Sequence, residues 1–205
     1  VNVLGTKNVL DFCLRHDARH VVVLSTGGVY GYAKDEYRRE TDAVSPIGAY
    51  GHSKWIAEQL TGMYGDVHGL SATILRLYFP YGPGQKSGVF RLICDAVRRG
   101  DELLIRKDGR PKMTPIHVED VVSAVARASS GAPEGVRTYN LCGDETVSFL
   151  EAVRMFERSL GGAAKCRFTE EVVGDLLADN SLIKSELGWA PSHGLSELVE
   201  AVCGG

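Results

Sequence analysis

Tyr50 and Lys54 are the residues whose types and spacing most directly suggest chemistry. Four positions apart, they fall one turn from each other on the same face of a helix. An ammonium group beside a phenol stabilises the phenolate and so suits the tyrosine to general acid/base catalysis. The spacing alone is weak, because Tyr30 and Lys34 repeat it in a glycine-rich turn. Taken by itself, it is more typical of a solvated helix face than of a catalytic pair.

Thr26 is a third candidate and lies upstream of this pair. It follows Val21-Val22-Val23-Leu24, a continuous β-branched run that is typical of a strand buried on both faces of a parallel sheet. Ligands of open α/β sheets bind at the carboxyl ends of strands, where the Thr26 hydroxyl could hydrogen-bond a substrate oxygen. Gly27 and Gly28 come next and would let a ligand approach the backbone closely. The alternative is a strand followed by an ordinary glycine turn.

The elements that must position these side chains alternate between helices and short apolar strands, which predicts an α/β fold with a parallel sheet. Ser148 and Glu151 form a capping box that opens a helix ending at Gly161. The polar stretch 32–42 predicts a loop. We predict strands at residues 21–24, 72–77 and 138–141, further helices at 2–15, 49–63, 89–99 and 119–130, and two short helices between 179 and 205.

Composition excludes several classes of protein. The 23 Lys and Arg residues against 26 Asp and Glu give a net charge of −3, which leaves no electrostatic footprint for nucleic acid or an anionic membrane. No apolar run approaches the roughly 18–20 residues of a membrane helix. Five scattered cysteines without CxxC spacing predict reduced, buried thiols in a cytoplasmic protein. His16 and His20 have metal-like spacing but no completing ligands, so we predict no metal site.

Six ordered segments resemble those of the extended short-chain dehydrogenases/reductases, and more narrowly of the NAD-dependent epimerase/dehydratase family that acts on nucleotide sugars. Thr26, Tyr50 and Lys54 are similar to the Ser/Thr-Tyr-Lys catalytic set of that superfamily. The six segments are Asn2–Leu10, Ser25–Gly31, Arg76–Gln85 (Arg-Leu-Tyr-Phe-Pro-Tyr-Gly-Pro-Gly-Gln), Ile116–Val121 (Ile-His-Val-Glu-Asp-Val), Tyr139–Leu141 and Leu187–Pro191.

The resemblance implies the C-terminal part of a doubly wound Rossmann-type parallel sheet plus a small α/β substrate-binding region. Residues 1–82 would be the second half of an NAD(P)-binding domain. Residues 83–205 would be mainly substrate-binding, with 116–142 returning to the first domain. The glycine fingerprint G-x-x-G-x-x-G is absent, so we expect an N-terminally truncated chain that is inactive alone.

The resemblance also implies roles for single residues. Tyr50 would be the general acid/base, Lys54 would bind the nicotinamide ribose, and Thr26 would bind the same substrate oxygen as Tyr50. Ser25, Tyr50, Lys54 and Pro80 would contact the cofactor, NAD in preference to NADP.

Other positions are expected to bind substrate or to hold the fold. Gly27, Phe79, Arg110 and Lys112 are the further candidate contacts to a nucleotide-sugar substrate. We expect His117 to form hydrogen bonds at a helix start and Trp189 to anchor the core or an interface. The sequence is compatible both with a monomer and with a homodimer, which would be built from helices 2–15 and 49–63.

Three departures from the family pattern limit the substrate and the reaction. Gly27 and Gly28 replace the acid pair of the dehydratases, which favours an epimerase or a reductase. Phe79 stands where the family has an Asn, and Met113 where it has a phosphate-binding Arg.

Two hypotheses for the function follow from the sequence. One is an NAD(P)-dependent epimerase or reductase of a nucleotide sugar, and the other is a non-catalytic nucleotide-binding or interaction module of the same fold.

Overall fold

The computed structural model describes residues 1–131 and 133–204. The α-helices are α1 (Asn2–Arg15), α2 (Gly48–His68), α3 (Val89–Arg99), α4 (Val118–Ser130), α5 (Phe149–Leu160), α6 (Ser181–Leu187) and α7 (Leu198–Cys203). The strands are β1 (His20–Thr26), β2 (Tyr37–Arg38), β3 (Ser71–Leu77), β4 (Pro80–Tyr81), β5 (Glu102–Arg106), β6 (Lys112–Met113), β7 (Ile116–His117), β8 (Val136–Leu141), β9 (Val147–Ser148), β10 (Lys165–Thr169) and β11 (Leu177–Ala178). Short 3-10 helices occupy Gly27–Val29 and Leu195–Glu197.

The central sheet is parallel, with the strand order β1-β3-β8, and these are the three strands that the apolar runs predicted. Thr26 pairs with Leu77, and Leu77 pairs with Leu141, so the three strands end at one edge of the sheet. The predicted α/β fold with a parallel sheet is therefore confirmed. This edge is where a ligand of an open α/β sheet is expected.

Helices pack on both faces of the sheet, but β1 is less buried than its apolar run predicted. Val21–Val23 are half-buried and Leu24 is 41% exposed, because β1 is the end strand of this sheet in the described residues, so the expectation of a strand buried on both faces is wrong for β1. Val21 packs with Leu10, Cys13 and Tyr64, which belong to α1 and α2. Its neighbour Val22 packs on the opposite side. The cluster there comes from α4, α6 and the loop after α6, and includes Val121, Ala124, Ile183, Leu187 and Trp189.

A third apolar cluster lies beyond the sheet and joins α3, α5 and α7. Its fully buried members include Phe90 and Ile93 of α3, Phe156 of α5 and Leu198 of α7. The parallel pair β5 and β10 lies beside it, and we did not predict either strand. The predicted loop over residues 32–42 is wrong at β2, which pairs with β11 far along the chain.

Helix boundaries follow local chemistry. Ser148 and Glu151 form the predicted capping box, with the Ser148 amide donating to Glu151 at 2.8 Å. His117 caps α4 as expected, because its Nδ1 accepts from the Glu119 amide at 3.2 Å. Trp189 is the expected core anchor, buried with its indole N–H donating to Ser123 at 2.8 Å.

Helix α2 runs past the predicted end at residue 63 to His68. Gly65 lets it lie close to β8, because a Cβ there would meet Val136 at 2.4 Å. Among residues 1–131 and 133–204, no helix combines the length and the apolarity needed to cross a membrane.

The cysteines differ from the sequence expectation. Cys94 of α3 and Cys203 of α7 form a disulfide, so the prediction that all five thiols are reduced is wrong for this pair. Spacing in the sequence could not reveal it, because the two cysteines are 109 positions apart and meet only through the packing of α3 against α7. Cys13, Cys142 and Cys166 are free; the first two are buried as expected, whereas Cys166 is only partly buried. The cytoplasmic location, which depended partly on free thiols, stays a prediction.

The disulfide predicts the number of reactive thiols. The protein denatured without reductant should expose three thiols to a colorimetric thiol reagent, and five after reduction, because only Cys94 and Cys203 are bonded. A Cys94→Ser variant should then expose four thiols without reductant, and Cys13→Ser should expose two. Five thiols in the unreduced wild type would contradict the bond.

Candidate active site

A cavity of about 780 Å³ opens at the carboxyl ends of β1 and β3. The loop between β3 and α3 forms most of one wall, and the end of β1 with the first turn of α2 forms the other. The lining consists of residues 25–28, Tyr32, Ile47, Tyr50, Gly51, residues 77–89, Val118 and Leu176. Thr26 and Tyr50, which we identified from their residue types, therefore face the same space.

The hydroxyl of Thr26 is oriented by a hydrogen bond from the backbone of the turn that follows it. Its Oγ1 accepts a hydrogen bond from the Gly28 amide at 3.2 Å, in the turn that follows β1. The hydroxyl hydrogen is left free to be donated to a ligand oxygen. Tyr50, in the first turn of α2, is 59% exposed and lines the opposite side of the mouth.

Lys54 lies one turn beyond Tyr50 and is tied to the sheet. Its Nζ donates to the Leu24 carbonyl at 2.9 Å and lies 5.9 Å from the centre of the Tyr50 ring, within range of a cation–π contact. Burial lowers the pKa of Lys54. The helix thus presents a phenol and an ammonium group side by side at the end of β1.

The residues expected near a cofactor are partly brought together. Pro80 lines the cavity with Tyr50, whereas the Ser25 hydroxyl points into the protein and donates to Glu58. Tyr50 and Pro80 line the cavity, while the Lys54 ammonium lies beside the Tyr50 ring and is bonded to the Leu24 carbonyl, so contacts of these residues with a cofactor stay a prediction. The glycine fingerprint that would hold a pyrophosphate is not in this sequence.

The four expected substrate contacts divide into two groups. Gly27 and Phe79 line the cavity, but Arg110 and Lys112 do not. Arg110 is engaged by the carboxylates of Asp175, Asp35 and Asp108, and Lys112 by Asp35 at 2.7 Å. A phosphate would have to compete with these carboxylates, so a role for Arg110 or Lys112 in substrate binding stays a prediction. Lys86, which we had not singled out, is a basic side chain that does line the cavity.

Gly27 is held against an aromatic ring. A Cβ at this position would lie 2.2 Å from Cζ of Tyr78, whose side chain is buried beneath the cavity. The next residue, Phe79, has a φ of 40°, a left-handed conformation that is rare for a bulky residue. Tyr78 was missed in the sequence, since an aromatic residue after an apolar strand is usually core.

A buried ion pair beside the cavity was also missed. Glu58 of α2 and Arg76 of β3 are 3% and 4% exposed, and Arg76 Nη2 donates to Glu58 Oε2 at 2.7 Å. The available signal was an arginine inside an otherwise apolar strand and a glutamate spaced eight residues after Tyr50. Buried charges of this kind require a partner.

One side-chain group in the described part of the chain resembles a metal site. His117, Glu119 and His193 bring ligand atoms within 4.8 Å of one another. The imidazole rings are stacked, however, with centres 4.3 Å apart and planes 23° apart. Ring-nitrogen lone pairs lie in the ring plane, so two stacked rings do not converge on one ion.

The chain is similar to a known protein family and to several of its members. The family model described as "NAD dependent epimerase/dehydratase family" matches residues 1–142. A relative in Bacillus subtilis, the uncharacterized UDP-glucose epimerase YtcB, is 29% identical over 96% of this chain, which spans 63% of that protein.

Two solved structures have the same fold. MoeE5 in complex with UDP-glucose and NAD is 31% identical, with a TM-score of 0.86 over 98% of this chain and 69% of its own. The Thermus thermophilus UDP-glucose 4-epimerase complex with NAD is 25% identical, with a TM-score of 0.86 over 98% of this chain and 68% of its own.

The contact between Gly27 and Tyr78 predicts a steric effect. Gly27→Ala should lower the free energy of unfolding by about 1–3 kcal/mol, because the new methyl group overlaps the buried ring. Urea denaturation measures this loss. Gly28→Ala is the matched control, since a Cβ there meets only Thr26 at 3.5 Å and should cost far less.

Tyr78→Leu should restore part of the stability lost in Gly27→Ala, which a double-mutant cycle would detect. Equal losses in Gly27→Ala and Gly28→Ala would show that the ring does not restrict residue 27.

Proposed function

We propose that this chain, which belongs to the NAD-dependent epimerase/dehydratase family, carries the acid/base centre of an NAD-dependent epimerase acting on a nucleotide sugar. The observation that carries the proposal is the meeting of Thr26 and Tyr50 at one cavity, with the Lys54 ammonium one turn away. A reductase acting on the same class of substrate would use the same three side chains. Gly27 and Gly28 place no carboxylate at the end of β1, which favours either reaction over an elimination of water.

The proposed reaction moves a hydride and a proton at the same substrate position. A bound nicotinamide would take the hydride from the carbon and later return it. Tyr50 would accept the proton from the carbinol oxygen and give it back, while the Thr26 hydroxyl donates to that oxygen. Lys54 would stabilise the phenolate by its charge. One acid/base group suffices, because proton and hydride leave and rejoin one C–OH unit.

Substrate and cofactor are inferred from relatives. MoeE5 and the Thermus thermophilus enzyme were solved with NAD, and MoeE5 also with UDP-glucose. We infer NAD and a nucleotide sugar for the natural protein that contains this sequence. Its contacts to a diphosphate would differ from the family pattern, because Met113 replaces the usual arginine and is fully buried.

Three clusters of apolar residues support a division of the chain into a cofactor side and a substrate side. The sheet with α1, α2 and α4 would form the cofactor side, including residues 1–82 and 116–142. The cluster of α3, α5 and α7 would support the substrate side, within residues 83–205.

We also propose that two copies associate through α1 and α2. These helices expose apolar side chains that their own packing leaves uncovered, among them Leu4, Phe12, Ile56, Met63 and Val67. Ile56→Glu should convert a dimer to a monomer in analytical ultracentrifugation, whereas Val172→Glu, at an exposed valine outside these helices, should not. A monomeric wild type would contradict the association.

The acid/base role of Tyr50 predicts a large kinetic effect. In the natural protein that contains this sequence, Tyr50→Phe should lower kcat by about 10²–10⁴-fold, because the proton loses its acceptor. Coupled assays of UDP-sugar interconversion would measure kcat, and calorimetry should show NAD affinity unchanged.

Tyr37→Phe is the matched control. The Tyr37 hydroxyl bonds Thr146 at 2.9 Å, and neither residue lines the cavity. This variant should keep wild-type turnover. Unchanged turnover in Tyr50→Phe would refute the acid/base role, and NAD binding without turnover in the wild type would favour a non-catalytic binding module.

A further inference from the structure

We propose that Glu58 is a positioning residue, which fixes the orientation of Tyr50 and Lys54 relative to Thr26. The inference rests on the proposed function for its kinetic consequence, but its structural basis is independent of it. Tyr50, Lys54 and Glu58 follow one another at intervals of four residues, so they project from one face of α2. This face lies over the end of β1.

Two of the three side chains bond β1 directly. Lys54 donates to the carbonyl of Leu24 at 2.9 Å, and Glu58 accepts from the hydroxyl of Ser25. The next residue of the strand is Thr26. The helix is therefore attached to the two residues that immediately precede the proposed substrate-binding hydroxyl.

Glu58 is held in turn from β3. Arg76 Nε lies 3.1 and 3.2 Å from the two carboxylate oxygens, and Nη2 lies 2.7 Å from Oε2. Such a bidentate pair fixes the plane of the carboxylate as well as its distance. Burial lowers the pKa of Arg76, but the hydrogen bonds and charge interactions with Glu58 and Tyr30 together outweigh burial, so that pKa is raised.

The remaining donor of Arg76 extends the network. Arg76 Nη1 donates to the Tyr30 hydroxyl at 2.6 Å, and Tyr30 donates to Asn140 Oδ1 at 2.9 Å. Each of these groups is buried and has a partner. The network thus connects α2, β3, β8 and the turn after β1. Its hydrogen bonds hold the Glu58 carboxylate in a single orientation.

Position matters for this chemistry. A misplacement of about 1 Å in a catalytic group can cost about 100-fold in rate. Glu58→Gln keeps the size of the side chain but removes the charge that holds Arg76, and leaves Arg76 as a buried, unpaired cation. A glutamine amide offers one acceptor oxygen instead of two, so residue 58 can still bond Ser25 but loses the bidentate contact with Arg76 that fixes its plane, and the attachment of α2 to β1 is weakened.

The test combines kinetics with hydrogen exchange in the natural protein that contains this sequence. Glu58→Gln should lower kcat about 10–100-fold with KM within about twofold, because the β3–α3 wall of the cavity is unchanged. Amide exchange in the first two turns of α2 should be at least about tenfold faster than in the wild type.

Asp120→Asn is the matched control. Asp120 is equally buried, at 1% exposed, and accepts bonds from the Ser192 and His193 amides at 2.9 and 3.0 Å, away from the cavity lining. The same carboxylate-to-amide change there should lower stability but leave kcat and the exchange of α2 within twofold of the wild type.

If Glu58→Gln does not fold, Ser25→Ala is the variant to measure. It removes the hydrogen bond between Ser25 of β1 and Glu58 and leaves the Glu58–Arg76 ion pair intact. It should lower kcat, leave KM unchanged and speed exchange in α2. Wild-type kcat, or wild-type exchange in α2, in the folded Glu58 or Ser25 variant would overturn the positioning role. A wild type without turnover would contradict the proposed function alone, and the exchange measurement would still decide this inference.

Discussion

The Glu58–Arg76 ion pair is the interaction around which the cavity is organised. Removing two charges from water costs several kcal/mol per ion unless they meet each other with good geometry. Glu58 comes from a helix and Arg76 from a strand, so satisfying both requires α2 to lie over the ends of β1 and β3. With α2 in this position, the first turn of the helix, which contains Tyr50, faces Thr26 across the cavity.

The cavity itself depends on close packing at the ends of the strands. Gly27 has no side chain because the Tyr78 ring occupies the space that a Cβ would need. Phe79 adopts a left-handed backbone, which costs a non-glycine residue about 1–2 kcal/mol. Such strain persists only where surrounding contacts enforce it. Here Phe79 packs against the cluster of α3, α5 and α7 and against a further cluster that includes Val29 and Tyr78, so the chain turns sharply from β3 into the cavity wall.

The parts of the fold that could be predicted are those with a local signature. The runs at β1 and β3 predicted strands because they are continuous and rich in apolar, β-branched residues, and Ser148 with Glu151 predicted a helix start. Strands β5 and β10 each contain two charged residues among five and lack a long apolar run, and they are stabilised by pairing with each other across the chain. The pairings of Glu58 with Arg76 and of Cys94 with Cys203 likewise depend on contacts that no local pattern encodes.

The same distinction applies to the site. Thr26, Tyr50 and Lys54 were identifiable because a strand end and a helix spacing place them. Arg110 and Lys112 were chosen for their charge alone, and the sequence could not show that Asp35 and Asp175 already engage them. The charge of a side chain therefore predicts a ligand contact only when the side chains around it are known.

The C-terminal residues support the cavity without lining it. Helix α7 packs on α3, and both the disulfide and a 2.6 Å bond from Arg98 to the Cys203 carbonyl hold the two together. The Tyr81 hydroxyl donates to the Gly194 carbonyl at 2.9 Å, so the wall is also anchored ahead of α7. Because α3 begins at Val89, which lines the cavity, a shift of α7 would be transmitted to that wall. The geometry of the cavity is therefore set from two sides, by the buried ion pair under α2 and by the C-terminal helix behind α3.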